Sequence, residues 1–265
     1  MCKQGLIHLC LIIDESGSMY GSENDIIGGF NKTIDEQKAV EGGECVVSYF
    51  KFSDDVTEVF IGKDVNDVKK LTKGDNIHWS LQNTTTSMSS ISVDGLYHME
   101  TVTYGDVDKT YIYTPHGCTA MNDGIGTAID KIGKWLSDMP EEERPSKNMI
   151  VIMTDGEENF SKEYTLDKVK NMIQHQTEKY NWTFVYMGMD ITSKNTADGL
   201  GISNRSFSSK SSSDMYKNYD NISASVCCYR MSDAAEADTV LCESLTSSLN
   251  EMTHTYEAKT GLNLN

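Results

Sequence analysis

Leu9-Cys10-Leu11-Ile12-Ile13-Asp14-Glu15-Ser16-Gly17-Ser18 runs from five apolar residues into one carboxylate and two hydroxyls spaced two residues apart. The nearly continuous apolar stretch over residues 6 to 13 has the composition of a parallel strand covered on both faces. Ligands of open α/β sheets gather beyond the carboxyl ends of such strands, and Asp14, Ser16 and Ser18 fall at that end. Their oxygens suit a hard cation, magnesium, calcium or manganese, better than zinc.

Working outward, Asp25 to Val40 places Ile26, Ile27, Phe30 and Ile34 among charged residues, the pattern of an amphipathic helix with Ser22 or Asn24 as its cap. Strand-like runs recur at Cys45 to Phe52, Val56 to Ile61, Met149 to Thr154 and Trp182 to Met187. Helical patterns occupy Met121 to Met139 and Leu166 to Lys179. This alternation predicts an α/β, Rossmann-like, doubly wound and mostly parallel sheet, with helices on both faces and right-handed crossovers. Only Ser53-Asp54-Asp55 separates the second and third strands, too little for a helical crossover, so one edge strand is expected to be antiparallel.

From Thr72 to Thr114 the pattern shifts to alternating polar, β-branched and aromatic residues, which predicts an inserted region of β-hairpins. Ser206 to Ser213 reads as a polar loop, followed by helical segments from about Asp214 to Cys228 and from Asp233 to Met252. The expected organisation is one domain over residues 1–205 with a C-terminal helical extension, 206–265, packed on it.

The 265 residues suffice for one sizeable core. A formal net charge of −17 repels phosphate backbones, which argues against a nucleic-acid partner. No apolar run reaches the roughly 18 residues of a membrane span, and Met1-Cys2-Lys3-Gln4-Gly5 opens no secretory leader. The seven cysteines form an odd set without C-x-x-C spacing, and the adjacent Cys227-Cys228 pair has no His or Cys partner at zinc-like distance. Reduced thiols in a soluble cytoplasmic protein, of a bacterial cell or a phage-infected host, are expected.

One carboxylate and two hydroxyls are too few for a divalent ion. Gly117-Cys118-Thr119, before the Met121 helix, offers a further hydroxyl, and Thr154-Asp155-Gly156, after the Met149 strand, offers a second carboxylate. With these in place the chain resembles the von Willebrand factor A (VWA) domain family. That family's metal-ion-dependent adhesion site (MIDAS) reads D-x-S-x-S, then a lone Thr, then an Asp on a later loop. The similarity spans Gly5 to about Ile202 and is greatest to small stand-alone bacterial and bacteriophage members. Those share features matched here by Gly28-Gly29-Phe30-Asn31, by Met139 to Pro145, by Thr154-Asp155-Gly156-Glu157-Glu158-Asn159 and by Met187-Gly188-Met189-Asp190. The long excursion over Thr72 to Thr114 departs from compact relatives.

The resemblance implies a magnesium ion, or manganese or calcium, held by Asp14, Ser16, Ser18, Thr119 and Asp155. Magnesium in such a site keeps an exchangeable position that an Asp or Glu of a protein partner can fill. The function so implied is a cation-dependent protein-binding module and not an enzyme. Two alternatives are a structural or assembly protein whose metal is incidental, and a metal-assisted hydrolase. Against the hydrolase, the sequence shows no G-x-S-x-G elbow, no P-loop and no second carboxylate cluster.

Other residues carry competing readings. Asp123 sits in the first turn of its helix, where it complements the helix dipole or supports the ion. Glu157 and Glu158 are solvated loop acids or an acidic rim. His116, with His78 and His98, has no diagnostic metal spacing. Trp79, Tyr97 and Tyr113 form either a contact surface beside the ion or the packing of the inserted hairpins.

Overall fold

A computed structural model describes residues 2–41, 43–74, 111–154, 157–188, 193–202 and 206–208, together with Ser223, Ala224, Val226, Cys227, Tyr229 and Arg230. The elements are β1 (Lys3–Asp14), α1 (Glu23–Ala39), β2 (Glu44–Phe52), β3 (Val56–Asp64), β4 (Thr72–Lys73), β5 (Ile112–Tyr113), α2 (Met121–Asp138), β6 (Pro145–Thr154), α3 (Leu166–Tyr180), β7 (Trp182–Gly188), α4 (Ser193–Leu200) and β8 (Ser206–Ser208).

Six strands form one sheet in the order β3-β2-β1-β6-β7-β8. All neighbours are parallel except β2 and β3, which pair antiparallel across the Ser53–Asp55 turn. The sheet is therefore Rossmann-like and mostly parallel with one antiparallel edge, as the strand spacing predicts. β1 is central because it can be: from Leu6 to Asp14 every residue is buried, so neither face nor edge needs water.

The pleat of β1 sorts its side chains between two cores. Ile7, Leu9, Leu11 and Ile13 face the layer built by Ile26, Phe30 and Ile34 of α1. Cys10 and Ile12 face Ile125, Ala128, Ile129 and Ile132 of α2, with Val169 and Ile173 of α3 and Leu200 of α4 beyond. Helices thus cover both faces. The chain leaves β1 through α1 to β2 on one side and returns through α2 to β6 on the other, so the order reverses around β1. Such a reversal opens a crevice at the strand's carboxyl end, and Asp14 is the residue that occupies it.

Three features differ from the sequence reading. Ser206–Ser208 is not loop but a short edge strand pairing with Tyr186–Gly188. Ladder hydrogen bonds set it, not side-chain pattern, and a Ser-Phe-Ser triplet carries no apolar alternation to announce it. Helix α4 was without a sequence signal, since Ser193–Leu200 is mostly polar and, among its described side chains, only Ala197 and Leu200 reach the core. The segment after Thr72 begins and ends on a parallel ladder, Thr72 with Ile112 and Lys73 with Tyr113, instead of a hairpin stem. The expected hairpins themselves, with Trp79 and Tyr97, lie outside the described residues, as does the helix expected from Asp233 to Met252.

Ser223, Ala224, Val226, Cys227, Tyr229 and Arg230 are helical. Val226 and Tyr229 join the α1-side core. Arg230 donates to the carbonyls of Gln37 (2.6 Å) and Gly43 (2.7 Å), and Lys147 Nζ donates to the carbonyl of Tyr229 at 2.5 Å. Among the described residues, no helix is long and apolar enough to cross a membrane.

Candidate metal centre

Asp14 ends β1 with its carboxylate fully buried. Its Oδ1 accepts the backbone N–H of Ser16 at 2.7 Å, the local turn expected of an Asp two residues ahead of a loop amide. Its Oδ2 accepts the hydroxyl of Thr154 at 2.5 Å. Thr154 reaches it because β6 runs parallel to β1 in the register Ile13 with Met153. The carbonyl of Asp14 takes the Tyr113 hydroxyl at 2.6 Å. Both carboxylate oxygens are thus aimed by fixed donors before any cation arrives.

Ser16 is fully buried and Ser18, one residue into a 3-10 turn over Gly17–Met19, is exposed. Their hydroxyl oxygens lie 2.9 Å apart. Adjacent corners of an octahedron with magnesium–oxygen bonds of about 2.0–2.1 Å are separated by about 2.9 Å, so this pair already has the spacing of neighbouring ligands. The donor set, a carboxylate and hydroxyls with no thiol or imidazole, matches hard-cation chemistry. Among the described residues no three His, Cys, Asp or Glu side chains gather as a metal cluster. A hydroxyl-rich centre does not require one.

Thr119 precedes α2 and is buried. Its loop is stitched to the Asp14 loop: Gly17 N–H donates to the carbonyl of Gly117 at 3.0 Å and His116 N–H to that of Glu15 at 2.7 Å. Gly117 adopts φ +72, and a Cβ there would sit 2.5 Å from Asp54 Oδ2, so both conformation and space call for glycine. Asp54 holds the next amide, Cys118 N–H, at 2.6 Å. Thr119 itself is clamped twice by Asn159, whose Oδ1 accepts its N–H at 2.9 Å and whose N–H donates to its carbonyl at 3.1 Å. Asp14, Ser16, Ser18 and Thr119 therefore share one loop cluster at the sheet's carboxyl edge. Asp155 lies outside the described residues, directly after Thr154.

Several residues play parts that sequence reading did not assign. Glu15 is buried, ion-paired to Lys51 at 2.9 Å, and accepts Thr114 N–H at 2.7 Å. Glu158 is no solvated acid: it accepts the N–H groups of Asn122, Phe160 and Ser161 at 2.7, 2.9 and 2.7 Å, so it caps α2 across the loop. Glu157 is exposed. Asp123 serves chiefly the loop opposite, accepting the amides of Lys162, Glu163 and Tyr164. His116 spends Nδ1 on the carbonyl of Thr114 (2.9 Å) and Nε2 on Ser53 Oγ (3.0 Å), and His78 and His98 lie outside the described residues. Tyr113 is fully buried and cannot belong to a contact surface. Glu158 and Asn159 both lie in the run after Asp155 that carries the family resemblance, whereas no signal pointed to the role of Glu15.

No family model matches this sequence, and no curated protein matches it. Solved structures do match in fold. Proximal thread matrix protein 1 from the mussel byssus aligns with a TM-score of 0.52 at 14% identity, over 84% of this chain and 46% of that one. The same protein with a zinc-occupied MIDAS motif gives 0.51 at 16% identity, over 83% and 46%. The vWF domain of the type V pili tip protein Mfa5 from Porphyromonas gingivalis gives 0.52 at 11% identity, over 83% of this chain and 94% of that one. This chain spans about half the length of the mussel protein and nearly all of the pilus-tip domain. Its fold is that of the von Willebrand factor A domain.

Proposed function

We propose that this chain is a divalent-cation-dependent protein-binding module, without catalytic activity, whose centre comprises Asp14, Ser16, Ser18, Thr119 and Asp155. Magnesium is the ion we assign, and the partner presents an Asp or Glu. Residues 1–208, through the edge strand β8, form the module, and 209–265 its extension. The reading is carried by one observation: a buried Asp14, oriented by Ser16 N–H and Thr154 Oγ1 at the reversal of strand order, beside two serine hydroxyls at ligand spacing.

The chain's own residues do three things in this scheme. Asp14 supplies negative charge at a point where burial excludes competing water. Ser16, Ser18 and Thr119 add neutral oxygens, so the charge of a bound ion is only partly offset. Asn159 and Glu15 hold the two loops in register. The ion, when bound, supplies a Lewis-acidic position for an incoming carboxylate.

Titration calorimetry with magnesium chloride tests the centre: saturable uptake of one ion per chain is expected, abolished by Asp14→Ala with the fold retained by circular dichroism. Capture of a partner in magnesium but not in chelator, lost when the partner's acidic residue is neutralised, tests the binding mode. Absence of uptake by the wild type, or partner capture indifferent to chelator, overturns the proposal.

A further inference from the structure

At the opposite end of the sheet, where β6 and β7 begin, a cavity of about 380 Å³ opens between the carboxyl halves of α2 and α3. Leu136, Arg144, Asn148, His175, Tyr180 and Trp182 line it. Its volume falls within the range of small-molecule sites. Asp14 ends β1 at the other edge, so this cavity is independent of the candidate metal centre.

Gly133 also lines it, in the interior of α2. Two other glycines of that helix have packing reasons: a Cβ at Gly124 would meet the Phe52 ring at 2.9 Å and one at Gly126 the Tyr164 ring at 2.2 Å. A Cβ at Gly133 would meet nothing within 4 Å. Helix-interior glycine is destabilising, so packing gives no reason to have it here. What Gly133 achieves is open space over the cavity.

The cavity also has a donor in its wall. Ser48 Oγ accepts Gly62 N–H at 3.0 Å and lies 2.7 Å from His8 Nε2. His8 Nδ1 faces the acceptor Asn148 Oδ1 at 3.2 Å, which puts the imidazole hydrogen on Nδ1 and turns Asn148 Nδ2 away from the ring. Asn148 is only 7% exposed, and its Nδ2 makes no hydrogen bond among the described residues. Nδ2 is open to the cavity, so it offers a hydrogen bond to the acceptor that occupies that space, water or ligand.

The rest of the lining selects the ligand. Trp182 and Leu136 are apolar walls, and Tyr180, 53% exposed, stands packed edge-on to His175 with ring centroids 5.7 Å apart. Arg144 directs Nε and one Nη to the carbonyls of Met139 (3.0 Å) and Ser137 (3.2 Å), and Glu141, Glu142 and Glu143 precede it. Two of the Arg144 donors are thus committed to main-chain carbonyls, and the three acids before it are not part of the lining.

We propose that this cavity binds a small planar aromatic molecule bearing a neutral carbonyl, its ring against Trp182 and Tyr180 and its oxygen on Asn148 Nδ2. Indole-3-carboxamide is the probe, followed through the Trp182 indole N–H resonance, with 3-methylindole as the arm lacking an acceptor. Saturable binding of the amide is expected, with 3-methylindole weaker by at least about tenfold, the equivalent of one hydrogen bond. Gly133→Met fills the space from a position with room for a side chain, and unchanged or raised thermal stability excludes unfolding as the cause of its effect. It should weaken the amide at least tenfold, whereas Asp14→Ala should leave binding intact. No saturation in the wild type, equal binding of the two probes, or undiminished binding to Gly133→Met overturns the proposal.

Discussion

Acid should destabilise this protein through His8 in a way that one substitution can isolate. The ring is fully buried in the centre of β1 and tilted against Trp135 at 5.1 Å. Burial lowers its pKa from 6.5 to about 4, although the Asn148 bond works the other way. An unfolded chain accepts a proton that the folded chain refuses between those limits. Folding stability from this group is therefore complete above pH 6.5 and declines as pH falls toward 4. The whole gap corresponds to roughly 3 kcal/mol, of which about 2 kcal/mol is lost between about pH 7 and pH 5.

Urea unfolding of the wild type and His8→Gln at those two pH values measures it. The other five histidines and the 40 carboxylates titrate in both proteins and cancel in the difference. His8→Gln should be the less stable at neutral pH, with the gap closing by about 2 kcal/mol at about pH 5. A gap constant to within about 0.5 kcal/mol would show that the folded imidazole takes up its proton freely, and the buried-neutral assignment would fail.

Thr154→Val removes a side-chain donor to Asp14 Oδ2; a loss of about 2 kcal/mol in stability and weaker magnesium uptake are expected by unfolding and calorimetry. Asn159→Ala releases the Thr119 main chain on one of its two bonds, and cation affinity should fall by about tenfold with stability changed by about 1 kcal/mol or less. Gly126→Ala drives a methyl to 2.2 Å from the Tyr164 ring and should cost about 1–3 kcal/mol, read as a fall in melting temperature.

The core strand was legible because β1 is apolar on both faces, and the pleat then divides its side chains. Ile7, Leu9, Leu11 and Ile13 alternate with Cys10 and Ile12, and the structure assigns the two sets to opposite layers. The β2–β3 hairpin was equally readable, since three residues cannot carry a crossover. Ser206–Ser208 was not, because a polar edge strand depends on its neighbour's free backbone groups and not on its own side chains. Glu158 and Asp123 misled for a related reason. An acid reads as solvated unless one knows which amides lie opposite; those of Asp123 belong to residues 39 to 41 positions away, and Glu158 reaches Asn122, 36 positions away, besides two amides of its own loop.

The candidate centre divides along the same line. Asp14, Ser16 and Ser18 are local, and a five-residue spacing displays them. Thr154, Glu15 and Tyr113 act on the same loop only through strand register, and register follows from the sheet as a whole. β6 could lie one residue out of step with β1 and still bury Ile150 and Ile152 or their neighbours, but the Thr154 hydroxyl would then point to the other face. The bond from Thr154 to Asp14 is thus a readout of correct β1–β6 pairing. A shifted register would keep an apolar interior and lose the orientation of the carboxylate, so preparation of the site depends on exact pairing and not on burial alone.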